Sequence, residues 1–98
     1  MTLEESQEII RIMIADDHAI LRAGLRSLLS AQDDMTVVAE AIDGEEAVEK
    51  AEACKPDVLL LDITMPKKSG IEALQEIRKL SPATRVLVLT MHDDHAYL

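Results

Sequence analysis

Residues 57–62 read DVLLLD, a continuous apolar run held between carboxylates. The run is strand-length, and its lack of polar alternation predicts a strand covered on both faces. Such a strand requires helices packed above and below it, which is the architecture of a parallel sheet. Short apolar runs recur along the chain. Residues 9–15 (IIRIMIA) read as a buried strand ending at Asp16 and Asp17, and residues 85–90 (RVLVLT) read as another. Residues 35–41 (MTVVAEA) form a further strand candidate with more polar content.

Helical patterns separate these runs. Between His18 and Ser30, Leu21, Leu25, Leu28 and Leu29 fall at i, i+4, i+7 and i+8, on one helical face. Asp43, Gly44, Glu45 and Glu46 offer an acidic helix start, after which Ala47, Val48, Ala51 and Cys54 line one face and Pro56 ends the helix. Ser69 to Glu72 (SGIE) fits a capping box, and the helix behind it is expected to bury Leu74, Ile77 and Leu80 before Ser81 and Pro82 stop it. His92, Asp93 and Asp94 then look like the start of another helix. Regular alternation with short connections predicts right-handed βαβ crossovers and a three-layer, doubly wound parallel sheet of the α/β class.

Composition narrows the function. A chain of 98 residues builds one layered core, and with one Tyr, no Phe and no Trp that core must be aliphatic. A formal net charge of −9 repels phosphate backbones, so direct binding of nucleic acid or of anionic membrane is not expected. Cys54 is the single cysteine, which excludes an internal disulfide and a cysteine-rich zinc site. No apolar run approaches the roughly 18 residues of a membrane span. Residues 1–8 are polar and acidic rather than signal-like, so a polar extension ahead of a cytoplasmic domain at 9–98 is expected.

In an open parallel sheet the carboxyl ends of the strands line the ligand-binding edge. Asp16 and Asp17, Asp62 and Thr90 all stand at such strand ends. Each has an ordinary explanation: an aspartate there often caps a helix or forms a turn, Asp17 could cap the first helix, and Thr90 could be a plain strand residue. Together they suggest carboxylates gathered around a hard cation such as Mg²⁺, with one carboxylate available as a nucleophile toward phosphorus. His18 borders this region or is solvated, while His92 and His95 read as loop and helix-start residues. Met13, Met65 and Met91 read as core or site-rim residues, and Cys54 as a small buried hydrophobe.

The stretches IRIMIADDHAILRAGL, LLLDITMPKKSGIEAL and VLVLTMHDD resemble the receiver domains of two-component response regulators, and the wording DDHAILRAGL is most similar to the NarL/LuxR-type subfamily. The resemblance covers residues 9–98 and implies a flavodoxin-like sheet of order 2-1-3-4. It also implies that Asp62 accepts a phosphoryl group from a sensor histidine kinase, that Asp16, Asp17, Asp62 and the backbone carbonyl of Thr64 hold Mg²⁺, and that Thr90 is the switch hydroxyl. Pro66 and Gly70 would shape the loop after Asp62. The output would be transcriptional regulation through a DNA-binding domain.

A receiver normally continues through a fourth helix, a fifth strand bearing a phosphoryl-pairing lysine, and a fifth helix. That lysine is not in this chain, and Lys67 and Lys68 read as solvated loop residues. The chain is therefore expected to be an incomplete receiver, open to homodimerisation or strand exchange through an uncovered sheet edge. Two other functions compete. One is a receiver-like interaction fragment that takes no phosphate. The other is a haloacid-dehalogenase-like phosphohydrolase, which would want a second aspartate where Thr64 stands.

Overall fold

A computed structural model describes residues 8–65 and 69–89. The elements are β1 (Ile10–Ala15), α1 (Ala19–Ser30), β2 (Met35–Ala41), α2 (Gly44–Cys54), β3 (Val58–Asp62), α3 (Gly70–Leu80) and β4 (Arg85–Leu89). The strands form a parallel sheet of order β2-β1-β3-β4, as predicted. No described helix is long and apolar enough to cross a membrane. Expectations placed on Pro66, Lys67, Lys68, Thr90, Met91, His92 and His95 lie outside the described residues.

One face of the sheet carries the main core. Met13 and Ala15 of β1, with Leu59 and Leu61 of β3, pack against Ala47 and Ala51 of α2 and Ala73 and Ile77 of α3. The core is aliphatic, as the lack of large aromatics requires. Strand alternation turns Ile12 and Ile14 of β1 to the opposite face, where they are buried.

That second face is covered less completely than the apolar run at 57–62 implied. Leu59 and Leu61 are fully buried, but Leu60 is only half-buried, and Leu87, its register partner on β4, is 58% exposed. The physical reason is placement: α1 packs on β1 and β2, so no described helix lies over β3 and β4 on that side. The same imbalance affects α1 itself. Leu21, Leu25 and Leu29 are half-buried, none of its residues is fully buried, and Leu28 is 68% exposed rather than part of the core face.

Helix ends follow local chemistry. Asp43 caps α2 by accepting the Glu46 N–H at 2.8 Å, and Glu46 reaches back to the Ile42 N–H at 2.9 Å. Glu45 and Glu46 in the first turn also complement the helix dipole. Asp43→Ala is expected to lower stability by about 1 kcal/mol in urea unfolding; an unchanged midpoint would show that the cap is dispensable. Lys55 closes α2 in the left-handed region (φ 48°), its N–H donating to the Ala51 carbonyl at 2.8 Å before buried Pro56 turns the chain. At α3, Ser69 accepts the Glu72 N–H and Glu72 accepts the Ser69 N–H, both at 3.2 Å, which is the predicted capping box.

Two local expectations are corrected. Asp17 does not cap α1: His18 is the capping residue and makes no side-chain cap bond. Cys54 is only half-buried, because it sits on the last turn of α2 at the margin of the core.

Candidate functional site

Strand register builds the site. Ala15 of β1 pairs with Leu61 of β3, so the next residues, Asp16 and Asp62, emerge side by side at the carboxyl edge. Asp62 in turn pairs with Leu89 of β4, the residue before Thr90. Asp16 is tied toward β2 by its N–H, which donates to the Ala41 carbonyl at 2.9 Å. Both carboxylates are fully buried, whereas Asp17 is part-exposed.

Asp62 is held by one oxygen. Its Oδ1 accepts the Thr64 N–H at 2.9 Å and the Thr64 hydroxyl at 2.7 Å. This is an Asx-type turn, and it fixes the carboxylate rotamer. The Asp-x-Thr spacing was the available signal for this hydroxyl, which sequence reasoning missed while considering only the Thr64 carbonyl. Gly70 matters for the same segment. A Cβ there would stand 2.2 Å from Ile63 Cα and 2.8 Å from the Asp62 carbonyl oxygen, so α3 starts directly against the backbone that follows Asp62.

The other carboxylate oxygens are unusual. Asp16 Oδ2 and Asp62 Oδ2 are buried with no hydrogen-bond partner among the described residues. A buried carboxylate oxygen that accepts no hydrogen bond is unfavourable, so these two atoms are open to a cation. Ligand atoms of Asp16, Asp17, His18 and Asp62 lie within 4.8 Å of one another. An oxygen-rich, acidic cluster of this size fits a hard divalent cation such as Mg²⁺.

His18 belongs to the cluster. Asp16 Oδ1 lies 2.6 Å from the His18 backbone N–H donor and 2.8 Å from the ring Nδ1. The hydrogen bond to Asp16 raises the His18 pKa above its ordinary 6.5; burial opposes this, and the charges of Asp16, Asp17 and Asp62 add to it.

Arg22 supports Asp16 from α1. Its Nη1 donates to the Asp16 carbonyl at 2.8 Å, and its Nε donates to Glu40 at 3.2 Å. Arg26 donates to the other Glu40 oxygen at 2.7 Å. The Arg26 hydrogen bond, helped by Arg22 and by both positive charges against partial burial, holds the Glu40 carboxyl below its ordinary 4.5. A depressed carboxylate stabilises the fold above its unfolded pKa, and that contribution is lost as pH falls through the folded value. Glu40→Gln is therefore expected to lower the urea midpoint at pH 7 and to converge with the parent protein once the pH has fallen through the depressed folded value. A difference that stays constant across that range would contradict the linkage.

The comparisons with known proteins agree with this geometry. The family model described as the response regulator receiver domain matches residues 12–98. The chain belongs to that family. The oxygen regulatory protein NreC of Staphylococcus haemolyticus is 49% identical over 90 residues, which is 91% of this chain and 42% of that protein. The chain thus spans less than half the length of that curated relative. Among solved structures, the signal receiver domain of the putative response regulator NarL from Mycobacterium tuberculosis aligns with a TM-score of 0.82 and 39% identity, covering 91% of this chain and 72% of that one. A CheX–CheY–BeF3–Mg²⁺ complex from Borrelia burgdorferi aligns at 0.83 with 27% identity, covering 97% of this chain and 72% of that one. The receiver described here is NarL/NreC-like, with the parallel sheet that its sequence predicts and an acidic cluster at the carboxyl edge.

Proposed function

We propose that Asp62 is the phosphoryl acceptor of this receiver and takes the group from the phosphohistidine of a sensor histidine kinase. The observation that carries the proposal is Asp62 Oδ2, a buried carboxylate oxygen with no hydrogen-bond partner among the described residues, beside Asp16 and Asp17, while Thr64 occupies Oδ1. With Oδ1 pinned, Oδ2 is the oxygen that attacks phosphorus. An O–P bond forms, the P–N bond of the donor breaks, and its electron pair returns to the imidazole nitrogen.

Asp16, Asp17, Asp62 and the Thr64 carbonyl would hold Mg²⁺, which supplies neutralisation of the charge gathered on the phosphoryl oxygens. Thr90, which follows the β3-paired Leu89, would hydrogen-bond the phosphoryl group and start the conformational switch. In this reading the output is transcriptional, through a DNA-binding domain and in the cytoplasm, as the resemblance to the NarL/LuxR-type subfamily implies.

The test is incubation with acetyl phosphate and Mg²⁺, read by intact mass. One added phosphoryl group is expected, and it should disappear when the cation is chelated. No uptake under any divalent cation would favour an interaction module that takes no phosphate.

Exposed Leu87 and Val88 favour self-association through the β4 side as a separate reading of the oligomeric state. A monomer in sedimentation at high protein concentration would exclude it.

A further inference from the structure

We propose that His18 is a ligand of this centre and gives it a preference for first-row transition cations over Mg²⁺; the inference rests on Asp16, Asp17 and Asp62 being the metal-binding carboxylates. The imidazole Nδ1 lies 2.8 Å from Asp16 Oδ1, 3.3 Å from Asp17 Oδ1 and 3.6 Å from Asp62 Oδ2. Neighbouring ligands of an octahedral cation with bonds of about 2.1 Å stand about 3 Å apart, so Nδ1 is spaced as a fellow ligand of the carboxylate oxygens. The buried, unpartnered Asp16 Oδ2 and Asp62 Oδ2 independently point to a cation at the same place.

The His18 ring has no competing duty in the helix. As the capping residue of α1 it makes no side-chain cap bond, and its side chain is 50% exposed. Without a cation Nδ1–H donates to Asp16 Oδ1, so ligation displaces that proton and leaves the ring N–H on Nε2, a donor that water can satisfy. Imidazole is a poor partner for Mg²⁺, which selects oxygen and retains its waters, but a good one for later first-row ions such as Co²⁺ and Zn²⁺. Carboxylates alone would give only the general ordering of these ions, so the dependence on His18 is the diagnostic quantity.

The experiment uses the whole chain with His92 and His95 replaced by Asn, which leaves His18 as the single imidazole. Affinities for Mg²⁺, Mn²⁺ and Zn²⁺ are measured by calorimetry, and Co²⁺ binding is followed by its visible absorption. His18→Ala is expected to weaken Zn²⁺ and Co²⁺ by about tenfold or more and to alter the Co²⁺ spectrum, while Mg²⁺ affinity changes less than about threefold. Unchanged Zn²⁺ and Co²⁺ binding overturns the inference, as does a large gain in Mg²⁺ affinity, which would make the imidazole a competitor of the cation. His18→Gln, compared by circular dichroism and the same titrations, replaces the alanine variant if that one unfolds. Asp16→Asn separates the two levels: Mg²⁺ affinity that is unaffected by it overturns the carboxylate site itself and the His18 inference with it. Lost Mg²⁺ binding in Asp16→Asn together with intact Zn²⁺ binding in His18→Ala overturns only the role of His18.

Discussion

Asp62→Asn is expected to abolish phosphoryl uptake from acetyl phosphate and, in the same variant, to raise thermal stability. The uptake is lost because the attacking oxygen becomes an amide nitrogen. The stability gain follows from the geometry. Asparagine keeps an Oδ1 that still accepts the Thr64 N–H and hydroxyl, so the turn after β3 survives. The substitution removes a buried charge beside Asp16 and Asp17, and it offers a donor where Asp16 Oδ2 and Asp62 Oδ2 now lack partners. Relief of that kind is worth about 1 kcal/mol, or roughly 4–8 °C in Tm for a domain of this size. Intact mass and a thermal melt without divalent cation check both halves. Label that persists would remove Asp62 from the chemistry. A lower Tm would mean that the carboxylate has a structural task the hydrogen bonds do not reveal.

Gly70→Ala should destabilise the fold far more than Gly24→Ala. The added Cβ would lie 2.2 Å from Ile63 Cα, 2.8 Å from the Asp62 carbonyl oxygen and 3.0 Å from the Ile63 carbonyl carbon. All three atoms are backbone, so no side-chain rotamer can give way. The start of α3 must move off the β3–α3 segment, lengthening the 3.3 Å hydrogen bond from the Gly70 N–H to the Ile63 carbonyl. A loss of about 3 kcal/mol is expected, the upper end for overpacking. Phosphoryl uptake should slow as well, because the displaced segment carries Thr64. Gly24→Ala is the control: its Cβ meets nothing within 4 Å, and alanine is the better helix former there. Equal urea midpoints for the two variants would refute the close-approach argument.

The amino-acid order by itself determined the class of fold and the acidic ends of its strands. Short apolar runs too brief for helices, separated by periodic segments with their own caps, leave a parallel α/β sheet as the economical arrangement. The capping box at Ser69 and the stop at Pro56 could be read directly because they depend on neighbours in the chain. The acidic strand ends were legible for the same reason, since strand termini and carboxyl edges follow from topology alone.

Tertiary structure decided what each of those residues touches. In DVLLLD the two flanking aspartates look equivalent, yet Asp57 accepts the Arg11 N–H at 2.8 Å and ties the start of β3 to β1, while Asp62 keeps a buried oxygen that accepts no hydrogen bond from the described residues. That division depends on strand register. Leu28 and Leu60 looked like core residues, and the position of α1 over β1 and β2 left the first exposed and the second half-covered. His18 could have been solvated; instead its ring faces carboxylates brought from two strand ends. Asp62 was thus legible as the acidic end of an apolar strand, whereas its environment was not. Periodicity encodes which side of an element is apolar, but only the packed sheet fixes which distant side chains meet there.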